Sequence, residues 1–190
     1  MKKFLITMFL YIICTGISAQ DSVWFKLQSD ATFKTSDGKD YIVLEYEGKT
    51  ATELYSMVKS NVMSLYKKPS EVMSEHENVS ISIRAYSDCV GTKTITLNPR
   101  RFSAFYNLVI KFKDGKIRID APCVDNTLYD YHNQLDRNVI PSYPKLVKGW
   151  FSDGAPKEKA IERIAIAESA VNLPINGILG LGKEKEEEEW

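Results

Sequence analysis

FSAFYNLVIKFKDGKIRIDA, residues 102–121, is the stretch that decides the fold. At its centre Asp114-Gly115 can close a two-residue hairpin, since both residues tolerate the positive φ that such turns require. Closing it there sets Phe112 opposite Ile117, Ile110 opposite Ile119 and Leu108 opposite Ala121. The same register pairs Lys111 with Arg118 and Lys113 with Lys116 on the other face. Turn chemistry and alternation thus select one register independently, and a slip of one residue would invert the faces. One face of the first strand is apolar throughout (Phe102, Ala104, Tyr106, Leu108, Ile110, Phe112). The other carries Phe105 and Val109, which, with Trp24, would form an apolar patch for a ligand unless another segment covers it.

Working outward, residues 79–86 alternate in the same way, with Ile81, Ile83 and Ala85 on one face and Ser80, Ser82 and Arg84 on the other. That pattern predicts a half-buried strand. Residues 92–97 predict another, closed by Asn98-Pro99. YIVLEY, residues 41–46, is β-branched and aromatic and reads as a strand after the Ser36-Asp37-Gly38-Lys39 turn. Thr50-Ala51-Thr52-Glu53 matches a capping box. Leu54, Tyr55, Val58, Val62, Leu65 and Tyr66 then recur at helical steps, with Pro69 as a stop. Residues 23–27 read as a short strand or an N-terminal arm.

Beyond the hairpin the periodicity dissolves into Asp, Asn, Tyr and Pro. A last helix is expected from about Pro156 to Asn172, on a stripe of Ala160, Ile161, Ile164, Ala165, Glu168 and Val171, ended by Leu173-Pro174. The organisation is a leader at 1–19, an arm at 20–36, an α+β domain at 37–122 and a long irregular loop at 123–155. A helix with a Gly-punctuated apolar segment (156–182) and an acidic tail (183–190) complete it.

The leader reads as a secretory signal peptide. Lys2 and Lys3 precede an apolar run of residues 4–14, and Ile17-Ser18-Ala19 supplies small residues for cleavage after Ala19. The apolar run would span only about 16 Å as a helix, against a hydrocarbon core of about 30 Å, so cleavage is favoured over anchoring. Bulky Tyr11-Ile12-Ile13 before Cys14 does not fit a lipoprotein box. The expected product is exported to the periplasm or the cell surface, without a membrane span.

Cleavage would remove two of 25 basic residues and leave 25 acidic ones, a net charge of −2. The last eight residues account for −3 of this, so the body is nearly neutral and offers no broad basic face for nucleic acid. Cys89 and Cys123 remain. In an oxidising compartment such a pair is a candidate disulfide, the alternative being two unpaired buried thiols. Extending the hairpin register places Cys123 on the apolar face with Ile117 and Ile119. Cys89 falls on the apolar face of its own strand.

The order strand, helix, strands, hairpin, helix resembles a family of uncharacterised exported proteins common in Bacteroidetes, with a fold like that of TATA-binding protein. The residues that carry the resemblance are Asp37-Gly38-Lys39 before YIVLEY, Thr52-Glu53-Leu54-Tyr55, residues 106–111 (YNLVIK) and Lys113-Asp114-Gly115-Lys116. It covers residues 37–122 and implies a curved antiparallel sheet with helices packed on one face. It brings no catalytic residues. The DNA-binding role of TATA-binding protein does not carry over to a neutral, exported chain.

Candidate chemistry is sparse. No Ser/His/Asp signature, phosphate-cradling glycine loop or CxxC occurs, and no cofactor is implied. His76 between Glu75 and Glu77 reads as a polar turn. Tyr129, Asp130, Tyr131 and His132, with Asp125 and Asp136 nearby, form the better cluster. Its tyrosines could stack on a sugar or peptide, while its spacing fits no metal signature. The reading is a non-enzymatic binding or interaction module of the cell envelope, whose partner is a peptide, lipid, glycan or envelope protein. The alternatives are a hydrolase or metal-dependent enzyme working through residues 125–136 and a structural component docking through residues 175–190.

Overall fold

The computed structural model describes residues 22–95, 97–130 and 140–181. The leader, Tyr131, His132, Asp136 and the acidic tail lie outside the described residues. In chain order the elements are β1 (Lys26–Leu27), β2 (Phe33–Lys34), β3 (Tyr41–Glu45), α1 (Ala51–Leu65), α2 (Pro69–Val72), β4 (Met73–His76), β5 (Ser80–Ile95) and β6 (Asn98–Lys113). They continue with β7 (Lys116–Asp120), β8 (Cys123–Val124), β9 (Tyr129–Asp130), α3 (Tyr143–Lys148), β10 (Phe151–Ser152), β11 (Ala155–Pro156) and α4 (Ile161–Leu179).

The main sheet is antiparallel in the order β3-β7-β6-β5-β4, and β8 and β9 pair with β6 beyond the end of β7. The β6–β7 hairpin has the expected register, with Phe112 opposite Ile117 and Ile110 opposite Ile119. Helices α1 and α4 cover one face and bury Leu54, Val58, Val62, Val171, Ile175 and Ile178 against Ile81, Ile83, Leu108, Ile110, Ile117 and Ile119. The sheet does not close, so its other face stays open.

The capping box forms as expected: Glu53 N–H donates to Thr50 Oγ1 at 3.2 Å, and Thr50 N–H donates to Glu53 Oε2 at 2.8 Å. The hairpin turn reinforces this helix start, because Ala51 N–H donates to Asp114 Oδ1 at 2.8 Å. Thr50→Ala should therefore lower the unfolding free energy by about 1 kcal/mol, seen as a lower urea midpoint at unchanged slope. Pro69 does not directly stop α1, which ends at Leu65; it opens α2, where a missing N–H is harmless.

Four expectations give way to longer-range packing. The strands predicted at 79–86 and 92–97 are one strand, β5, interrupted by a bulge between Ser87 and Gly91. The described parts of the expected irregular loop, residues 123–130 and 140–155, carry regular elements and buried side chains. They supply β8, β9, α3 and β10, and bury Leu128, Tyr143, Leu146, Val147 and Trp150. Helix α4 begins at Ile161 rather than near Pro156, with Ile161 and Ala165 exposed, and it runs through Pro174 to Leu179. The proline deprives the Ala170 carbonyl of its helical donor. Burial of Ile175, Ile178 and Leu179 outweighs that loss, and Gly180 then ends the helix at φ 70°. Residues 175–179 are consequently part of the core and are not a free docking segment.

The cysteine pairing is the fourth. Both thiols are free, Cys89 buried and Cys123 exposed. Ile110 pairs with Ile119, but Tyr106 pairs with Val124, so one extra residue enters at Ala121-Pro122 and turns Cys123 outward. Cys123 lies opposite Asn107, whereas Cys89 sits in the bulge facing Ser103 on the other flank of β6. That is about 13 Å along the strand and two strand spacings across, beyond the reach of about 7 Å between bridged Cα atoms.

The arm at residues 22–27 is held by α4. Val23, Phe25 and Leu27 are buried, and the amide of each donates to a side chain of α4. Val23 N–H donates to Asn176 Oδ1 at 2.7 Å, and Asn176 Nδ2 donates to Val23 O at 2.9 Å. Asn172 treats Phe25 in the same way, at 2.8 and 2.9 Å. Glu168 accepts from Leu27 N–H at 3.0 Å, Trp24 Nε1 at 3.0 Å and Lys26 Nζ at 3.4 Å. Four helical residues rise about 6 Å and two extended residues about 6.6 Å. Positions 168, 172 and 176 can therefore read every second residue of an extended chain.

Candidate functional site

Period-two alternation places Ser82, Arg84 and Tyr86 of β5, Phe105, Asn107 and Val109 of β6, and Arg118 and Asp120 of β7 on the open face. Four of its cations are ion-paired to three carboxylates. Arg84 lies 2.5 Å from Asp125, Lys111 and Arg118 lie 2.6 and 2.7 Å from Asp120, and Lys116 lies 2.9 Å from Glu45. Burial works to raise the Asp120 carboxyl, but hydrogen bonds from Lys111 and Arg118 prevail and hold it below the ordinary carboxylate value.

At one end of this face three rings cross the sheet. Tyr86 lies directly opposite Phe105, and Tyr129 of β9 sits beside it on the far flank. The Tyr86 and Tyr129 ring centroids are 5.3 and 6.5 Å from that of Phe105, both edge-on. The Arg84 guanidinium stacks 4.2 Å from the Phe105 ring centre, within cation–π range. Its charge is fixed by Asp125, which also accepts from Asn107 Nδ2 at 3.2 Å. Phe105 is thus packed in from both sides, whereas Tyr86 and Tyr129 remain 49% and 48% exposed. At Tyr86 the face runs into a cleft of about 530 Å³ between the C-terminal end of α1 and the middle of α4, walled by Leu65, Tyr66, Tyr106, Leu173 and Pro174. Burial pushes the Tyr106 hydroxyl well above the ordinary tyrosine value, so it stays protonated on the cleft wall.

The structure brings together only some of the residues singled out in the sequence. Phe105 and Tyr129 meet, and Val109 lies on the same face four residues along β6. Trp24 does not join them, being bonded to Glu168 near α4. Asp130 points away from Tyr129: its side chain is fully buried, with Oδ2 3.8 Å from Arg100 Nη1. Asp125 is engaged by Arg84 and Asn107, and His76 is exposed at the end of β4. Among the described residues no group of three or more His, Cys, Asp or Glu is placed to hold a metal ion. Nor is any described helix long and apolar enough to cross a membrane. Arg84 and Tyr86 were the residues missed. Their shared parity with Ser82 already put them on the polar face, but only the β5–β6 register sets Tyr86 against Phe105.

The family model for a domain of unknown function with TBP-like fold, DUF4468, matches residues 41–122, from the start of β3 to the register slip at Pro122. Residues 41–122 are similar to DUF4468 domains. The expected fold class, an antiparallel sheet with helices on one face, is that of this family. Two solved structures are similar to the chain. One is a TBP-like protein from Parabacteroides distasonis ATCC 8503, at 13% identity and TM-score 0.41, covering 74% of this chain and 92% of that one. The other is a DUF4468 family protein from Bacteroides ovatus ATCC 8483, at 9% identity and TM-score 0.38, covering 72% and 77%. No curated protein matches. The DUF4468 match includes Arg84, Tyr86, Phe105 and Asn107, but not Asp125, Tyr129, the arm or α4.

Proposed function

We propose that this chain is an exported, non-enzymatic binding module of the cell envelope whose open sheet face takes a neutral glycan. The observation that carries this reading is the row Tyr86–Phe105–Tyr129. Two half-exposed rings flank a third that packing has immobilised, so little side-chain entropy is lost on contact. Arg84, Asn107 and Asp125 place planar hydrogen-bonding groups beside the rings. Ion pairing of Arg84, Lys111, Lys116 and Arg118 with Asp125, Asp120 and Glu45 lowers the free charge that this face offers a polyanion. Export rests on the residue 1–19 leader, and N-terminal sequencing of the protein from cell envelopes should begin at Gln20.

The test is a glycan array probed with the chain from Gln20 and with its Tyr86→Ala/Tyr129→Ala variant. Binding should fall by about tenfold or more in the variant while its unfolding midpoint is kept. Retention of peptides but no saccharide, or equal binding by both proteins, would overturn the assignment.

A further inference from the structure

We infer that the N-terminal arm is exchangeable between two copies of this chain, each arm docking on α4 of the other, with the turn between β1 and β2 as the hinge. The argument is one of what exchange keeps and what it gives up. Every bond between residues 22–27 and Glu168, Asn172 and Asn176 involves only the arm and α4, so it re-forms unchanged when the arm comes from a second copy. Burial of Val23, Phe25 and Leu27 against α4 and its surroundings is likewise re-formed.

What exchange gives up is weak. The arm is joined to the body through a ladder of only two residue pairs, Lys26 with Lys34 and Leu27 with Phe33. The first of these sets two lysines opposite each other, a like-charged pair that does not favour pairing. The connecting turn is closed by Gln28 N–H to Thr32 O at 2.8 Å and Ala31 N–H to Gln28 O at 3.0 Å. To make it, Ala31 takes φ 70°, where a Cβ is disfavoured and glycine is the usual occupant. Straightening residues 28–32 would relieve that strain and carry the arm away from its own α4. Short, strained hinges of this kind favour exchange over closure. The partner that fits is therefore a second copy, because it carries the same alternating Val23, Phe25, Leu27 pattern in a form the α4 side chains already match. None of these residues lies on the open sheet face, so the inference stands apart from the glycan reading.

Size-exclusion chromatography with light scattering on the chain from Gln20 tests this. Dimer should accumulate with concentration, and Ala31→Gly should lower the association constant by about tenfold, since both hinges then close without strain. Deleting Ser29 and Asp30 should make the chain an obligate dimer that reverts to monomer when Asn172→Leu is added. A Phe25→Asp chain and an Asn172→Leu/Asn176→Leu chain should each be monomeric alone and form a heterodimer when mixed. A shortened chain that stays monomeric, a dimer indifferent to Asn172→Leu, or failure of the mixed pair to associate would overturn the inference. Should the shortened chain or the doubly substituted one not fold, an association constant unchanged by Ala31→Gly overturns it by itself.

Discussion

Asn172→Leu should lower the unfolding free energy by about 3 kcal/mol, the larger part of it through the arm. Asn172 is fully buried, accepts the Phe25 amide and donates to the Phe25 carbonyl and the Glu168 carbonyl. Leucine keeps the branched outline with bulkier ends, so no cavity is left and some overpacking adds to the lost hydrogen bonds. Phe25 is itself fully buried, and a buried backbone donor or acceptor left unpaired costs about 1–3 kcal/mol. The chain has one escape, which is to release the arm and hydrate those groups. It then exposes Val23, Phe25 and Leu27, each worth about 1.5–3 kcal/mol when buried. Either route reaches the expected size, and hydrogen exchange separates them. Loss of protection at Phe25 and Leu27 alone means release, while a global loss means strain in place. The two perturbations share one mechanism, so removing residues 20–27 should leave Asn172→Leu with little further effect. A loss under about 1 kcal/mol in the intact chain would show that α4 does not hold the arm.

Local chemistry made part of this fold legible. The Asp114-Gly115 turn, the Thr50–Glu53 capping box and the alternation of β5 and β6 each depend on residues close in sequence, and each forms as read. Glu168, Asn172 and Asn176 show the opposite case. Their four-residue spacing is plain on the page, yet its meaning depends on an arm more than 140 residues away. Without that partner, Asn172 looked like a helix end and Pro174 like its stop. The same blindness applied to residues 143–150, whose proline, glycine and lysines read as loop, because Leu146 and Trp150 gain their value only against the distal half of the β5–β6 ribbon. At the open face, parity placed Phe105 on the outside, but it could not show Arg84 lying over its ring or Tyr129 arriving from β9. The error over Cys123 was a matter of one residue: a strand register extrapolated past a proline inverts every face beyond it.

Gly91→Ala tests that distal packing, and the sign of its effect is informative before its size. Gly91 lies within β5, opposite Phe102, and does not occupy the left-handed region. On backbone grounds alone, replacing such a glycine with alanine should stabilise the protein by about 0.5–1 kcal/mol. Packing reverses the sign. A Cβ built there would lie 2.6 Å from Trp150 Cη2, 3.0 Å from Trp150 Cζ2 and 3.1 Å from Leu146 Cδ2. Trp150 and Leu146 are only 2% and 3% exposed, so neither can swing into solvent. Accommodation requires α3 to move off the ribbon, and a loss of about 2–3 kcal/mol is expected, measured by urea unfolding. Trp150→Leu supplies the control. Alone it should be destabilising through the cavity it leaves, but combined with Gly91→Ala it removes the clash, so the double variant should be at least about 1 kcal/mol better than the sum of the two. Additive losses would place the effect of Gly91 in the strand backbone. A stabilising Gly91→Ala would mean that Trp150 does not pack on the ribbon, and that α3 is held to the domain by some other contact.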